Sequence, residues 1–165
     1  MPLSDLITPS CIRLDVAAGS KKRALEEAAQ QLGACPSAPK PEQIFERLLE
    51  RERLGSTGLA NGVALPHARM SGIDRAYGVF LRLAAPVDFD ALDGQPVDLL
   101  FALLVPEEAT GEHLNLLAAL ARLFSDATLC ERLRSSQDPA DTAMLITQGD
   151  HAAQGQDSAS VRRPA

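Results

Sequence analysis

Residues 97–105 read Val-Asp-Leu-Leu-Phe-Ala-Leu-Leu-Val, with Pro96 and Pro106 on either side. A strand wetted on one face alternates apolar and polar side chains. A run this short and this continuously apolar fits a strand covered on both faces. Such a strand needs a sheet around it and a layer of helices above and below. The expected fold class is therefore α/β: a single domain with a mixed central β-sheet flanked by helices on both faces.

The other segments supply those layers. Residues 3–8 fit a short helical turn. Residues 11–16 alternate as a half-buried strand does. Ser20 is a good N-cap for a helix over 21–32, whose apolar positions are Leu25, Ala28, Ala29 and Leu32, and Gly33 is a natural stop. Pro41 suits the first turn of a second helix, with Ile44, Phe45, Leu48 and Leu49 on its apolar side and an end near Gly55. Strands are expected at 63–65 and at 77–83. Residues 85–89 read as a short connection, and Asp93-Gly94 as a turn. Leu116, Leu117, Leu120, Ala121 and Phe124 mark a long helix from Glu112, with Thr110 as its cap. A short helix over 127–134 and a last one opened by Asp138-Pro139 follow. After Thr147 the composition falls to Gly, Gln, Ser, Ala and Arg. The expected organisation is one domain over 1–148 and a disordered tail over 149–165.

The net charge is −6 and the pI is near 5. A phosphate backbone rewards a basic face, so nucleic acid is not an expected partner. The N-terminus lacks a basic-then-apolar leader, and no uncharged run reaches the ~20 residues that span a bilayer. No membrane insertion is expected, and the expected location is cytoplasmic. Three widely spaced cysteines, Cys11, Cys35 and Cys130, suit neither a zinc site nor a disulfide framework and fit small buried apolar positions.

Residues 51–69 carry the chemistry. They hold Gly55, Gly58 and Gly62, the hydroxyls of Ser56 and Thr57, two arginines (Arg51 and Arg69), and His67 directly after Pro66. Glycines let backbone amides approach a ligand closely. Arginine matches phosphate geometry. Arg51 falls in the last turn of its helix, where a cation also offsets the helix dipole. His113 would occupy the first turn of the helix capped by Thr110, among free amides that favour an anion and disfavour an imidazolium. His151 lies in the expected tail and reads as a solvated side chain. Blander alternatives stand beside these readings: His67 as a satisfied histidine at a strand end, and His113 as a helix-surface residue.

Other chemistries fit less well. Two ordered histidines without H-E-x-x-H do not make a zinc site. A G-x-S-x-G elbow is absent, and Gly55-Ser56-Thr57-Gly58 lacks the trailing Gly-Lys-Ser/Thr of a nucleotide loop. A histidine among hydroxyls, amides and arginines is what a phosphohistidine requires. In that reading Ser56, Thr57, Gly58 and Arg69 bind phosphoryl oxygens, and neither metal nor organic cofactor takes part.

Arg51-Glu-Arg-Leu-Gly-Ser-Thr-Gly followed by Gly62-Val-Ala-Leu-Pro-His67-Ala-Arg69 resembles the signature of the mannitol/fructose-class enzyme IIA domains of the bacterial phosphotransferase system. The Gly-Ser-Thr-Gly segment is more similar to the nitrogen-related branch than to the sugar branch. The resemblance takes in roughly residues 1–147, including Leu92-Asp-Gly-Gln-Pro-Val-Asp-Leu-Leu-Phe and Glu112-His113-Leu114. Asn61 departs from it, standing where a glycine is common. The resemblance implies the enzyme IIA fold and a phosphoryl-carrier role. His67 would be phosphorylated by a histidine-containing phosphocarrier protein, His113 would be its partner, and Arg51 would neutralise charge. It further implies a regulatory output on target proteins such as transporters or sensor kinases. A sugar-specific IIA that hands phosphate to a permease IIB domain, and a non-catalytic binding module, are the rival functions.

Overall fold

The computed structural model of the chain describes residues 3–108 and 111–161, with side chains described through residue 152. Its elements in order are α1 (Leu3–Leu6), a 3₁₀ turn (Pro9–Cys11), β1 (Ile12–Val16), α2 (Lys21–Gly33), α3 (Pro41–Leu54), β2 (Val63–Ala64), β3 (His67–Met70), β4 (Tyr77–Val87), β5 (Val97–Pro106), α4 (Gly111–Phe124), α5 (Ala127–Ser135) and α6 (Pro139–Val161).

The apolar 97–105 run is where the sequence puts it, inside the sheet. The strand order is β1-β4-β5-β2, with β3 also on β5. β4 and β5 are antiparallel, and the other pairings are parallel. The sheet is mixed, as expected. Successive β5 residues face opposite layers. Leu99, Phe101, Leu103 and Val105 pack with α1, α4, α5 and α6, where Phe80, Leu120, Phe124 and Ile146 join them. Leu100, Ala102 and Leu104 pack with α2 and α3, against Leu25, Leu32, Ile44 and Leu48. Both faces are covered, which is why this strand tolerates so little polarity.

β2 and β3 are two pieces of one edge strand. Val63 pairs with Leu99 and His67 with Leu103, so the register is unchanged across Leu65-Pro66. Pro66 has no N–H to give, yet its carbonyl accepts from the Leu103 amide at 2.9 Å. The proline thus interrupts pairing without ending the strand.

Several local expectations are met by side-chain contacts. Ser20 Oγ accepts from the Arg23 amide, capping α2, and Asp138 accepts from the Asp141 amide at the start of α6. Thr110, the expected cap of α4, lies outside the described residues.

Two expectations need correction, while α2 does end at Gly33, without a left-handed turn. A Cβ there would stand 2.5 Å from Pro41 Cγ, so the glycine lets α2 and the start of α3 meet. Residues 85–87 are strand, not connection: β4 runs on to Val87, which pairs with Val97. β1 has already stopped pairing at Leu83, so Pro86 has no partner on that side to deprive of a hydrogen bond. Finally, the chain does not leave helical structure at Gly149, because α6 continues to Val161. Gly149 sits against Leu123 and Leu129, and the buried Asp150 carboxylate accepts from the Leu3 amide at 3.3 Å. Those contacts anchor the helix past the point where apolar composition gives out.

Candidate active site

A cleft of about 670 Å³ opens beside β3, between the C-terminal end of α3 and the N-terminal end of α4. His67, Arg69, Arg51 and His113 all line it. Residues some 45 positions apart in sequence are brought together because β3 lies on β5 and α4 begins soon after β5 ends. The period-2 rule sets which side chains face the cleft. His67 and Arg69 share one face of β3, while Ala68 and Met70 go to the core on the other. On α3, Arg47, Arg51 and Leu54 fall at i, i+4 and i+7, one stripe along the cleft wall.

His67 is half-buried, and its Nδ1 is 2.8 Å from the Leu65 carbonyl oxygen. That oxygen only accepts, so Nδ1 carries the proton and Nε2 keeps its lone pair. Burial lowers the His67 pKa below the ordinary 6.5; the Arg51 charge pushes the same way, opposed by the Leu65 hydrogen bond and Glu52. Burial thus favours the neutral ring, in which Nδ1 holds the proton and Nε2 keeps the nucleophilic lone pair.

The surroundings are strongly cationic for a chain of net charge −6. Among the described residues, Arg47, Arg51, Arg53 and Arg69 share the cleft with a single carboxylate, Glu50. Arg51 also donates to the Gly55 carbonyl at 2.8 Å, which fixes the turn after α3. Apolar side chains complete the rim: Leu54 is 85% exposed and Leu114 57% exposed, with Leu117 deeper.

Ser56, Thr57 and Gly58 are not among the cleft-lining residues. Ser56 Oγ donates to the Phe89 carbonyl at 2.6 Å and accepts from the Gly58 amide at 3.0 Å. Thr57 is buried. Its amide and its hydroxyl both donate to the Glu52 carboxylate, at 2.7 and 2.6 Å. At Gly58 a Cβ would stand 2.9 Å from Ala91, so this glycine admits the 88–92 loop and not a ligand. The Gly-Ser-Thr-Gly segment is thus a brace behind the histidine. Glu52 is the residue that the sequence reading missed. Its signal was present: Ile44, Leu48 and Glu52 continue the buried i+4 series of α3, which puts the carboxylate in the core beneath the loop. Lys21 pairs with it at 3.1 Å.

Asn61, the departure from the family pattern, has φ +63, and Gly62 follows at +74. Asparagine tolerates the left-handed region better than other non-glycine residues. Its side chain reaches the Ser125 carbonyl at 3.2 Å, so the substitution preserves the turn into β2. Among the described residues no group of three or more His, Cys, Asp or Glu could hold a metal ion.

A family model described as "Phosphoenolpyruvate-dependent sugar phosphotransferase system, EIIA 2" matches residues 5–149. A "Nitrogen regulatory protein" of Escherichia coli (strain K12) is 45% identical over 148 residues, covering 89% of this chain and 90% of that protein. One from Pseudomonas aeruginosa is 50% identical over 134 residues, covering 81% and 87%. The crystal structure of the nitrogen regulatory protein IIA-Ntr from Neisseria meningitidis superposes with a TM-score of 0.83 at 46% identity, covering 88% of this chain and 99% of that one. Residues 51–69 brace and present one histidine within a fold shared over most of these chains. The chain belongs to the type-2 enzyme IIA family of the phosphoenolpyruvate-dependent phosphotransferase system, in its nitrogen regulatory branch.

Proposed function

We propose that the chain is a phosphoryl carrier that accepts phosphate on Nε2 of His67 from a histidine-phosphorylated carrier protein. The observation that carries this reading is the Nδ1–Leu65 hydrogen bond, which leaves Nε2 unprotonated at the wall of an arginine-lined cleft. In the transfer, Nε2 attacks phosphorus, the donor's N–P bond breaks, and the donor imidazole departs with the electron pair. The acceptor ring gains positive charge as the new bond forms. The Leu65 carbonyl, already accepting from Nδ1, stabilises that charge as it develops. Arg51 and Arg69 balance the phosphoryl oxygens, and His113 donates a ring N–H to one of them. The exposed Leu54 and Leu114 give the donor protein an apolar rim to seat against. No cofactor is required.

The regulatory half of the function follows from charge. A phosphoryl group adds close to two negative charges to a basic, leucine-rimmed face. Target proteins such as transporters or sensor kinases that dock there would distinguish the two states. The discriminating experiment is incubation with the upstream phosphocarrier and labelled phosphoenolpyruvate. Acid-labile, base-stable label is expected on wild type and none on His67→Ala. Label that persists on His67→Ala overturns the assignment. Release of label on adding sugar and permease-containing membranes would move the function to the sugar branch.

A further inference from the structure

Lys21 opens α2, in the turn where free amides and the positive end of the helix dipole disfavour a cation. Helix formation therefore does not account for a lysine at this position. Its side chain is 23% exposed, and Nζ lies 3.1 Å from Glu52 Oε1 near the end of α3. The same ammonium donates to the Phe89 carbonyl at 3.3 Å. The Phe89 ring centroid is 4.8 Å away and Asp90 Oδ2 3.9 Å. One cation thus joins the start of α2, the last turn of α3 and the 88–92 loop. Lys22 is exposed and carries the same charge one residue on.

We propose, resting on the reading of His67 as the acceptor, that Lys21 is a positioning residue for phosphoryl acceptance. It acts through Glu52, Thr57 and Leu65 to hold the His67 proton on Nδ1. Every link in this path is a hydrogen bond of ordinary length. Glu52 Oε1 accepts from the Thr57 amide at 2.7 Å, and Oε2 from the Thr57 hydroxyl at 2.6 Å. The Thr57 carbonyl accepts from the Leu65 amide at 3.0 Å, and the Leu65 carbonyl from His67 Nδ1 at 2.8 Å. Leu65 lies in the break between β2 and β3, where Thr57 supplies its amide with a partner. The Glu52 side chain is only 2% exposed, and a carboxylate so buried keeps its place only if its charge is met. Oε1 takes both the Thr57 amide and the Lys21 ammonium, so the cation fixes where that oxygen sits and which way the Thr57 peptide faces. Without the ammonium the carboxylate relaxes toward solvent and draws Thr57 with it. Ser56 is outside this path, because its hydroxyl serves the Phe89 carbonyl. Lys21 is also outside the cleft that the donor enters, so its effect falls on the imidazole and not on docking.

Single-turnover acceptance is measured against donor concentration on the full chain, and again with phosphoramidate, a small phosphoryl donor that needs no docking. Lys21→Met should lower the limiting rate by roughly 10–100-fold. It should leave the half-saturating donor concentration unchanged and slow phosphoramidate labelling by the same factor. Nitrogen-15 shifts of the ring should show less protonation at Nδ1. Lys21→Arg keeps a cation and should recover most of the rate, while Lys22→Met should match wild type. Lys21→Met combined with Glu52→Gln removes both charges, which avoids a stranded carboxylate. That double variant should be no slower than the slower single one, because the two residues act in one path. A wild-type rate in Lys21→Met, a loss confined to donor binding, or an unchanged tautomer would each overturn the proposal. So would no recovery in Lys21→Arg, an equal loss in Lys22→Met, or additive losses in the double variant. Label that persists on His67→Ala would instead remove the acceptor, and the role of Lys21 with it.

Discussion

Glu52→Gln is the sharpest probe of how this chain holds its histidine. Glu52 is 6% exposed. Its carboxylate accepts from the Thr57 amide and hydroxyl and pairs with Lys21. The Thr57 carbonyl accepts from the Leu65 amide at 3.0 Å, and the Leu65 carbonyl accepts from His67 Nδ1 at 2.8 Å. One buried carboxylate thus stands at the head of a relay that ends on the imidazole. Glutamine keeps the shape. Its oxygen can take the Thr57 amide, and its NH₂ can donate to the Thr57 hydroxyl once that rotates. What it loses is the charge on two hydrogen bonds and the pairing with Lys21. Charged hydrogen bonds contribute roughly 1.5–3 kcal/mol each and neutral ones about 1, so the loss over the two bonds should be about 1–4 kcal/mol. For a chain of this size that lowers Tm by roughly 2–16 °C. Glu52→Ala strands both Thr57 donors and takes from Lys21 its nearest carboxylate, leaving it the Phe89 carbonyl and Asp90, and should cost about 3–5 kcal/mol. Urea denaturation with an unchanged m-value gives the stability. Nitrogen-15 shifts of the His67 ring give the tautomer, and single-turnover phosphoryl transfer gives the consequence. Glu52→Gln should lower the fraction protonated at Nδ1 and slow transfer. Wild-type stability in Glu52→Ala would refute the energetic reasoning. Lost stability with an unchanged tautomer and rate would refute the relay.

Three further outcomes can be checked independently. Because the His67 pKa is lowered in the folded state, the unfolded chain binds more protons over the window below 6.5. Stability should therefore fall as pH drops from 6.5 through the folded-state pKa, and phosphoryl acceptance should fall with it; an NMR titration midpoint at or above 6.5 would contradict this. His113→Ala should fold normally and slow transfer by roughly 10–1000-fold, whereas Ser56→Ala, whose hydroxyl serves the Phe89 carbonyl, should lose stability and keep its transfer rate; rapid-quench kinetics on both separates the two roles. Arg82, on β4, donates to the carbonyls of Leu133, Arg134 and Ser136 at the end of α5. Arg82→Met should cost roughly 2–4 kcal/mol by removing this shared donor, although the Leu133 carbonyl keeps the Ser136 hydroxyl, and calorimetry showing no loss would deny that role.

Much of this was legible in the residues because local chemistry carries it. The apolar 97–105 run could only be a doubly covered strand, and the i+4 stripes of α2, α3 and α4 could only be helices packed on it. Ser20 and Asp138 announce helix starts by the oxygen they offer to free amides. Pro66-His67 and the arginines stand out because the proposed phosphohistidine would need a neutral nitrogen and cationic neighbours. Other features were hidden for equally physical reasons. β3 alternates fully but is only four residues long, too short to register as a strand, and it pairs with β5. β4 passes through Pro86, which local propensity opposes, because β1 stops short of it.

The sequence by itself determined the layered α/β architecture, the position of the histidine and the residue types that would surround it. Each of these follows from periodicity or from chemistry within a few residues. Only the tertiary structure decided which of those residues face the histidine. Ser56 and Thr57 look like phosphate ligands in one dimension, yet Thr57 turns inward to satisfy the buried Glu52 carboxylate and Ser56 turns to the Phe89 carbonyl. Arg47, Arg53, Leu54 and Leu114 join the cleft because the end of α3 and the start of α4 meet at the edge of β3. Hydrogen-bond demand in the core and the order of strands are properties of the assembled chain, and no local pattern encodes them.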